Sequence, residues 1–358
     1  MLRVLFLSRY GRLGASSRLR FYQYRAYLEL QGFEVTIAPL FGDDYVAGLY
    51  ARNVPITSIL RSYVARLGSI MQTKRFNAVW VEKEILPWLP AWVELGLFPA
   101  SVSMIVDYDD AAFHRYDQHR LSAVRFLLGN KIDAVMRQAD LVTVGNDYLG
   151  ARARQAGAQR VEFLPTAVDV TRYAVASSAR EGPVTIGWIG SPATAHYLRL
   201  LRPVLQDIVG SRGARVVAVG ANVEQLKGLP IEGRPWSEQS EVAEIQRFDI
   251  GIMPLSDEPF ERGKCGYKLI QYMACGKPVV ASPVGANKVI VRDGVEGFLP
   301  ADHSQWSDVL GKLCDDSSLR ARLGTAGRNR VVGEYSLQVT APRLETLLRS
   351  VIKTPCAA

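Results

Sequence analysis

The stretch from Phe260 to Ser282, FERGKCGYKLIQYMACGKPVVAS, decides the fold of this chain. Glycines and lysines come directly before a helical pattern at Tyr267–Ala274, and the run Val279–Ala281 after it predicts a short buried strand. The free N–H groups at the start of a helix, with lysines beside them, favour an anion. The stretch therefore predicts a phosphate-binding loop within alternating strands and helices.

The same alternation of apolar runs and helical patterns extends in both directions from this stretch and predicts parallel sheets. The predicted strands are Val4–Leu7, Val35–Ala38, Ala78–Val81, Met104–Val106, Leu141–Val144, Glu162–Leu164, Thr185–Ile189, Arg215–Val219, Ile250–Met253, Val279–Ala281 and Gly297–Leu299. This pattern predicts two Rossmann-like halves of similar size. The predicted domains are 1–170, a linker at 171–183, 184–335, and a final helix and tail at 336–358, with the helix crossing the domain junction.

Composition agrees with a two-domain globular protein. The chain has 358 residues, 48% of them hydrophobic and 22% charged, which excludes disordered, collagen-like and coiled-coil classes. Its four cysteines form no C-x-x-C pair, and no apolar run fits a signal peptide or a membrane span. We therefore expect a cytoplasmic protein without a structural zinc site.

The loop after the first strand, Ser8–Arg18, is a second candidate for anion binding. In open parallel sheets, ligands bind beyond the carboxyl ends of the strands, so strand-to-helix loops are the places to search. This loop contains Gly11, Arg12 and Gly14, and its hydroxyls at Ser16 and Ser17 suit helix capping. It lacks the G-x-G-x-x-G spacing, so a dinucleotide fingerprint is absent. We expect the loop to contact an anionic ligand.

Several motifs in order resemble the retaining GT-B glycosyltransferases of family 4, the group 1 type. The resemblance rests on Leu269–Ser282 with its flanking segments, and on Ser17–Arg20, Asp109–Ala111 and Leu164–Asp169 in the first half. It covers nearly the whole chain. It implies an α/β fold with GT-B architecture: two facing Rossmann-like domains with an interdomain cleft, and transfer of a sugar with retention from a nucleotide diphosphate to an acceptor hydroxyl.

The family's motif has two glutamates separated by seven residues, and this chain departs from it at both positions. Gly263 stands at the first position and Gln271 at the second, which the family uses for the ribose. The diphosphate loop of the second domain, 190–196, offers hydroxyls, backbone N–H groups and a histidine instead of the usual Arg and Lys. We expect Lys264, Lys268 and Arg12 to compensate the phosphate charge, and Glu261 to be the available carboxylate for the sugar.

The predicted site has a catalytic and a donor-binding part. The expected catalytic residues are Asp109, Asp110 and Lys264. The expected donor-binding residues are Gly11, Arg12, Gly14, Gly190, Ser191, Thr194, Glu261, Gly263, Lys264, Cys265, Gly266, Tyr267, Lys268 and Gln271. One aspartate orients a hydroxyl or the sugar, while the other has the alternative role of capping the next helix. We expect no metal and no cofactor beyond the nucleotide-diphosphate sugar as co-substrate.

Two alternatives remain beside the transferase. A nucleotide-sugar 2-epimerase shares the fold but needs acid and base carboxylates, and a catalytically lapsed nucleotide-sugar binding protein fits the missing glutamates. Nucleic-acid binding is not expected, because no recognition motif accompanies the basic charge. Trp80, Trp88 and Trp92 are interpreted as packing residues, and Trp236 as a flank of the nucleobase.

The net charge of +8 is concentrated near the N-terminus, where residues 1–80 carry a net +7. Within this part, a helical pattern from Ile56 has no acidic residue between Leu49 and Asn77. The apolar residues of this helix, expected to pack on the sheet, are Ile59, Leu60, Tyr63, Val64, Leu67, Ile70 and Met71. The cations that border them are Arg52, Arg61, Arg66, Lys74 and Arg75. They predict peripheral attachment to an anionic membrane at its inner face, and a glycan or lipid-linked acceptor.

Overall fold

The computed structural model describes residues 1–50, 53–175 and 182–352 and divides into two compact units. The first unit comprises Met1–Thr166 and the chain from Thr340 onward, and the second comprises Ala167–Val339. Residues 176–181 of the predicted linker, Arg52 and Cys356 lie outside the described residues.

A six-stranded parallel sheet forms the centre of the first unit. Its strands are β1 (Leu2–Leu7), β2 (Phe33–Ile37), β3 (Ala78–Glu82), β4 (Ser103–Tyr108), β5 (Leu141–Val144) and β6 (Val161–Phe163), in the order β2-β1-β3-β4-β5-β6. Its helices are α1 (Ala15–Arg20), α2 (Arg25–Leu30), α3 (Asp43–Tyr50), α4 (Ile56–Met71), α5 (Ala91–Leu97), α6 (His114–Asp117), α7 (Ser122–Leu128), α8 (Lys131–Gln138) and α9 (Asp147–Gln155). Short 3-10 helices lie at Tyr22–Tyr24 and Thr73–Arg75.

The second unit repeats this plan around another parallel sheet of six strands. Its strands are β7 (Thr185–Ile189), β8 (Arg215–Val219), β9 (Glu232–Arg234), β10 (Ile250–Met253), β11 (Val279–Ala281) and β12 (Gly297–Phe298), in the order β12-β11-β10-β7-β8-β9. Its helices are α10 (Arg202–Arg212), α11 (Val223–Leu226), α12 (Glu241–Gln246), α13 (Pro259–Arg262), α14 (Tyr267–Ala274), α15 (Asn287–Ile290), α16 (His303–Asp315) and α17 (Ser317–Glu334), with a 3-10 helix at Pro192–Leu201. Helix α18 (Leu337–Val351) begins in this unit and continues in the first.

The α/β fold class predicted from the sequence is confirmed, and all eleven predicted strands are present with ends shifted by at most two residues. The sequence analysis missed β9, because Glu232-Gly233-Arg234 is polar, largely exposed and lies at the edge of its sheet. An edge strand held mainly by its backbone pairing to β8 leaves no apolar pattern in the sequence.

Two local predictions in the first unit were wrong. The helical spacing of Leu19, Ala26 and Leu30 predicts one helix, but the structure breaks it with the 3-10 helix at Tyr22–Tyr24. The serines do not cap α1: Gly14 is its N-cap residue, while the Ser17 hydroxyl accepts a hydrogen bond from Tyr10 N (3.0 Å) and donates one to Glu82 Oε2 (2.6 Å). The Ser17 hydroxyl therefore donates to a buried carboxylate instead of capping the helix.

Helix α4 also differs from expectation. Tyr63 and Ile70 face inward, but Leu60, Val64, Leu67 and Met71 are exposed rather than packed on the sheet. A buried Arg66 lies on the inward face instead, where it donates to Ser8 O, and burial lowers its pKa to about 10. Arg66 therefore belongs to the interior, and only Arg61, Lys74 and Arg75 of the predicted cations are exposed among the described residues.

The tryptophans of the first unit divide between core and surface. Trp80 is fully buried among Phe6 and Phe21, with ring centroids 5.0 Å and 4.4 Å away, as the packing interpretation requires. Trp88 and Trp92 are 49% and 76% exposed, so for them that interpretation was wrong. Among the described residues, no helix is both long enough and apolar enough to cross a bilayer.

Candidate functional site

One candidate site lies in the second unit, where β7 ends and α14 begins. Lys268 is in the first turn of α14, and its side chain passes close to Gly190, the residue after β7. A Cβ atom at position 190 would come within 2.7 Å of Lys268 Cε and 2.6 Å of the Trp188 ring. Glycine is therefore required at position 190, because only a bare backbone lets the lysine cross the strand end.

Lys268 is held in an apolar and cationic environment. Its ammonium lies 5.5 Å from the centroid of the Trp188 ring. Burial, and then the nearby charge of Lys264, lower the pKa of Lys268 to about 7. Among the described residues, no carboxylate forms an ion pair with it. A lysine in such a place becomes fully charged only when an anion arrives.

Lys264 lies in the turn between α13 and α14, beside two aromatic rings. Its ammonium is 4.9 Å from the Phe260 ring centroid and 5.8 Å from that of Tyr197. The turn is fixed by a backbone hydrogen bond from Lys264 N to Glu261 O of 3.0 Å and by Gly266 at φ 64°. Gly263 and Cys265 complete this turn, with the Cys265 thiol facing Gly263 O. The turn thus brings two lysines to the start of one helix.

The carboxylate of Glu261 lies in the same place, at the end of α13. It is 9% exposed and accepts a hydrogen bond from the hydroxyl of Tyr197, which the 3-10 helix carries. Burial and the Glu261 carboxylate raise the pKa of Tyr197. The start of that 3-10 helix is closed by Thr194, whose hydroxyl donates to Ser191 O (3.0 Å). The structure therefore brings together Gly190, Glu261, Lys264 and Lys268, and adds Tyr197, which the sequence analysis missed.

Gln271 and Tyr267 take part in a second cluster of the same unit. Gln271 is 3% exposed, and its Nε2 donates to the hydroxyl of Tyr173 (2.9 Å). The Tyr173 hydroxyl donates to Glu241 Oε1 (2.7 Å) and lies 3.0 Å from that of Tyr267. Trp236 Nε1 also donates to Glu241, at 3.1 Å. The buried carboxylate of Glu241, at the start of α12, is therefore linked to Gln271 through one hydroxyl.

Another candidate site lies in the first unit, at the carboxyl ends of β3 and β4. Lys83 follows β3 directly, and its ammonium pairs with Asp109 Oδ1 (2.9 Å) and Asp110 Oδ2 (3.0 Å). Lys83 is 3% exposed, and the two carboxylates keep its pKa raised although burial alone would lower it. The aspartates do not cap a helix, since α6 begins only at His114. They are fixed by one buried cation.

Lys83 also has an unusual backbone conformation, with φ at 66°. A left-handed backbone is rare for residues other than glycine and is found at functional sites. It turns the chain at the end of β3, so that Glu82, Lys83 and Glu84 are all buried. Three charges directly after an apolar strand were the signal that the sequence analysis did not use.

The loop after β1 reaches the same strand end. Arg9 donates through its backbone N to Glu82 Oε2 (2.7 Å) and through Nη1 to Glu84 Oε1 (3.0 Å). Gly14 allows close packing, because a Cβ there would lie 2.4 Å from that of Tyr10. Gly11 N donates to Phe41 O (2.9 Å), and Arg12 is exposed, its carbonyl accepting from Arg18 Nη1 (3.1 Å). The glycines thus shape the loop, and Arg12 remains at its surface.

Asp107 has a structural part in this region. It forms a two-pronged ion pair with Arg20, at 2.8 Å and 2.6 Å, and both residues are fully buried. Arg20 also donates to Leu164 O (2.7 Å). One arginine therefore joins the end of α1, strand β4 and the residue after β6. Among the residues that the structure describes, no group of three or more His, Cys, Asp or Glu could hold a metal ion.

Comparison with known families supports the sequence resemblance in the second unit. Residues 183–316 match the family model of glycosyl transferases group 1, which confirms that resemblance for this segment. A D-inositol 3-phosphate glycosyltransferase of Xylanimonas cellulosilytica is 39% identical over 82 residues, 22% of this chain and 18% of that protein. One of Streptomyces bingchenggensis is 32% identical over 145 residues, 37% of this chain and 31% of that protein. The chain thus matches less than a third of these relatives' own length.

Solved structures match nearly the whole chain at low sequence identity. HepE of Anabaena, solved with UDP-glucose, has a TM-score of 0.75 at 15% identity over 98% of this chain and 100% of its own. Sucrose-phosphate synthase of Thermosynechococcus elongatus has 0.73 at 14%, over 98% and 99%. WaaG, a glycosyltransferase of lipopolysaccharide biosynthesis, has 0.71 at 13%, over 96% and 99%. The chain therefore has the GT-B fold, and its residues 183–316 match the group 1 glycosyl transferases.

Proposed function

We propose that this protein is a glycosyltransferase that moves a sugar from a nucleotide-diphosphate donor to an acceptor hydroxyl, with retention at the anomeric carbon. The observation that carries the proposal is Lys268, a partly buried lysine of lowered pKa beside Lys264 at the start of α14. The segment around it matches the group 1 glycosyl transferases. A diphosphate would bring negative charge to two lysines at the start of one helix.

In the proposed reaction the bond between the anomeric carbon and the diphosphate oxygen breaks, and a bond to the acceptor oxygen forms. Lys264 and Lys268 stabilise the charge that develops on the leaving diphosphate. The acceptor's proton passes to the departing phosphate, so no strongly basic side chain is required. Asp109 and Asp110, held by Lys83, orient the acceptor hydroxyl or the sugar. Glu261 is the carboxylate assigned to the donor sugar.

The remaining donor contacts follow from the two clusters of the second unit. Gly190, Ser191 and Thr194 are assigned to the diphosphate because they follow β7 directly. Ser191 carries the hydroxyl assigned to it, since the Thr194 hydroxyl donates to Ser191 O. Gln271 uses its Nε2 on Tyr173, so its Oε1 is the atom assigned to a ribose hydroxyl. In the first unit, Gly11, Gly14 and Arg12 complete the assigned donor contacts.

We place the protein in the cytoplasm, in peripheral contact with the anionic inner face of the cell membrane, with a role in glycan or glycolipid assembly. Arg61, Lys74 and Arg75 support this assignment because they are exposed on and just after α4. WaaG, which shares the fold, acts in lipopolysaccharide biosynthesis. A glycan or a lipid-linked sugar is the acceptor class that suits such a location.

Donor screening followed by turnover tests the proposal. UDP-, GDP- and dTDP-sugars are compared by thermal shift, since a ligand at a hundredfold excess over its Kd adds about 2.7 kcal/mol of stability. The donor that binds is then incubated with an acceptor panel, and the anomeric configuration of the product is read by NMR. Retained configuration supports the proposal.

Other results would assign other functions. Formation of an epimerised nucleotide sugar without acceptor identifies the 2-epimerase. Donor binding without turnover on any acceptor identifies a lapsed binding protein, which the absence of glutamates at Gly263 and Gln271 would explain. Failure of every nucleotide sugar to bind overturns the proposal.

A further inference from the structure

The carboxylate of Glu261 is held by a side chain from a distant part of the sequence. Glu261 lies in α13, a helix of only four residues, and its Oε1 accepts a hydrogen bond from the hydroxyl of Tyr197. Tyr197 lies 64 residues earlier, in the 3-10 helix at Pro192–Leu201. A single turn of helix has little stability of its own. The position of the Glu261 carboxylate therefore depends on the bond from Tyr197.

Tyr197 is itself firmly placed. Its side chain is 6% exposed and belongs to the same buried cluster of the second unit as Ile189 and Leu269. The start of its 3-10 helix is fixed from α11, because Gln225 Nε2 donates to Pro192 O at 2.7 Å. A ring packed in the core thus carries a hydroxyl that reaches out to Glu261.

The bond between Tyr197 and Glu261 joins the two segments that we assign to the donor. In a 3-10 helix, residues three apart lie on the same face, so Tyr197 follows Thr194 one turn later. On the other side, the ammonium of Lys264 is 5.8 Å from the centroid of the Tyr197 ring. The segment after β7 and the turn before α14 are therefore held together by one tyrosine.

The two carboxylate oxygens of Glu261 have different surroundings. Oε1 accepts from Tyr197, and among the described residues no other hydrogen bond or ion pair reaches this carboxylate. Burial and the Glu261 carboxylate raise the pKa of Tyr197, so its hydroxyl keeps its proton and remains the donor. An ionised carboxylate has only acceptor sites. Oε2 is thus an oriented acceptor with its capacity unused.

We propose that Tyr197 is a positioning residue of the donor site, which fixes Glu261 so that Oε2 accepts a hydrogen bond from a hydroxyl of the donor sugar. Tyr197 acts through Glu261 and does not itself touch the sugar. A sugar with a hydroxyl at this place gains a hydrogen bond to a charged group, whereas a sugar deoxygenated there leaves Oε2 unsatisfied. The pair therefore selects among donor sugars.

The inference deepens the proposed function, on which it rests, and the two can fail separately. The wild-type protein is first tested with UDP and UDP-glucose and with the corresponding pairs of GDP and dTDP. Failure of every nucleotide sugar to bind overturns both the proposed function and the role of Tyr197. A wild type that binds a nucleotide sugar, with variants that bind it equally well, overturns the role of Tyr197 alone.

Tyr197→Phe is the main test, because it removes only the hydroxyl and keeps the ring that packs in the core. Titration calorimetry compares the nucleotide diphosphate with its sugar conjugate. We expect the conjugate to bind about tenfold more weakly and the nucleotide diphosphate to bind as before, since only the sugar meets Glu261. The control is Tyr335→Phe, at another buried tyrosine of the same unit at the end of α17, which should change neither affinity. Equal weakening of both ligands would indicate a merely structural role and overturn the proposal.

Glu261→Gln tests the same pair from the other side and serves if Tyr197→Phe does not fold. It should also weaken the sugar conjugate and spare the nucleotide diphosphate. Because Tyr197 acts only through Glu261, the double variant should bind the conjugate no more weakly than Glu261→Gln alone. Losses that multiply in the double variant would show independent contacts and contradict the proposal.

Donor analogues that each lack one hydroxyl of the sugar identify the group that Oε2 meets. The wild type should bind one of these analogues about tenfold more weakly than the complete donor, and Tyr197→Phe should reduce that difference. Tyr335→Phe should retain it in full. If wild type and Tyr197→Phe discriminate equally among the analogues, Tyr197 does not position Glu261 for the sugar.

Discussion

Lys83 and Lys268 are two largely buried lysines at equivalent points of their own units, close to the carboxyl ends of parallel strands. Lys83 pairs with Asp109 and Asp110, which keep its pKa raised. Lys268 has another lysine as its nearest charge, and its pKa is lowered to about 7. The same side chain is thus neutralised by the protein in one unit and not in the other.

The difference distinguishes two roles that a buried charge can have. A buried charge with its partners in place holds a geometry, and removing one partner leaves the others uncompensated. A buried charge beside a like charge is unfavourable until an anion binds, so its energy is realised in the complex. We therefore assign Lys83 to the architecture of its site and propose ligand binding as the role of Lys268.

The largest effect is expected from Lys83→Met, because it leaves Asp109 and Asp110 without their buried cation. Breaking a buried ion pair costs about 3–5 kcal/mol of unfolding free energy. Denaturant unfolding measures this loss, and Lys74→Met, at an exposed lysine of the same unit, serves as the control. The triple variant with Asp109→Asn and Asp110→Asn should recover part of the stability. A loss no larger than that of Lys74→Met would contradict the architectural role.

Lys268→Met should have the opposite profile, with little effect on folding and a large one on the donor. Loss of a charged hydrogen bond to the diphosphate costs about 1.5–3 kcal/mol, roughly a tenfold to hundredfold weaker Kd for the nucleotide diphosphate. Binding of the free nucleoside should be unchanged. Titration calorimetry with both ligands measures this, and Lys288→Met, at an exposed lysine, is the control. Equal losses for nucleoside and diphosphate would show that Lys268 does not meet the phosphates.

The sequence predicted the fold better than it predicted the site. Strands such as Leu141–Val144 and Thr185–Ile189 were found with their exact ends, because a strand buried on both faces is a continuous apolar run. The turn around Lys264 and the start of α14 were also predicted, since glycine, lysine and helical periodicity are local signals. Local patterns sufficed wherever the structure is determined by neighbours in sequence.

What the sequence did not predict depends on contacts over long distances. Lys83 meets Asp109 and Asp110 only because β3 and β4 are adjacent, and Glu241 meets Gln271 only through Tyr173. The prediction that the apolar residues of α4 all pack on the sheet was wrong for a related reason. Periodicity shows that a helix has apolar residues, but it does not show which of them the sheet covers. The charged run Glu82-Lys83-Glu84 after a strand was the one local signal available and unused.

Gln271→Glu tests whether the cluster of Gln271, Tyr173 and Glu241 is already satisfied by its own hydrogen bonds, as Lys83 is by its aspartates, or has room for a further charge. Gln271 Nε2 donates to the Tyr173 oxygen, and the one proton of that hydroxyl goes to Glu241. A carboxylate at position 271 could therefore neither donate to Tyr173 nor accept its proton, and it would face the like charge of Glu241. We expect a cost of about 1–3 kcal/mol at neutral pH. The raised pKa of the new carboxyl makes this cost shrink as the pH falls, because protonation restores a donor. Melting temperatures at two pH values measure it, with Gln206→Glu, at an exposed position of α10, as the control.

The smallest effect, and the most specific to the comparison, is the pH dependence of donor binding. With the pKa of Lys268 at about 7 in the free protein, a bound diphosphate favours the protonated lysine, so binding takes up a proton. Affinity for a nucleotide-diphosphate sugar should fall by about tenfold between about pH 6 and about pH 8. Calorimetry in buffers of different ionisation enthalpy measures the proton directly, and Lys268→Met should abolish both the uptake and the slope.

Stability should change in the opposite direction over an overlapping range. The folded pKa of Lys268 lies below its unfolded value of 10.5, so between about pH 7 and that value the unfolded chain binds more protons. The contribution of Lys268 to the stability of the free protein therefore rises with pH while its contribution to donor binding falls. Lys83, whose pKa is raised by its aspartates, provides no such pair of slopes. Wild type and Lys268→Met could show the same pH dependence of stability and of donor affinity. Lys268 would then not be the group that takes up a proton when the donor binds, and the contrast between the two lysines would have no functional meaning.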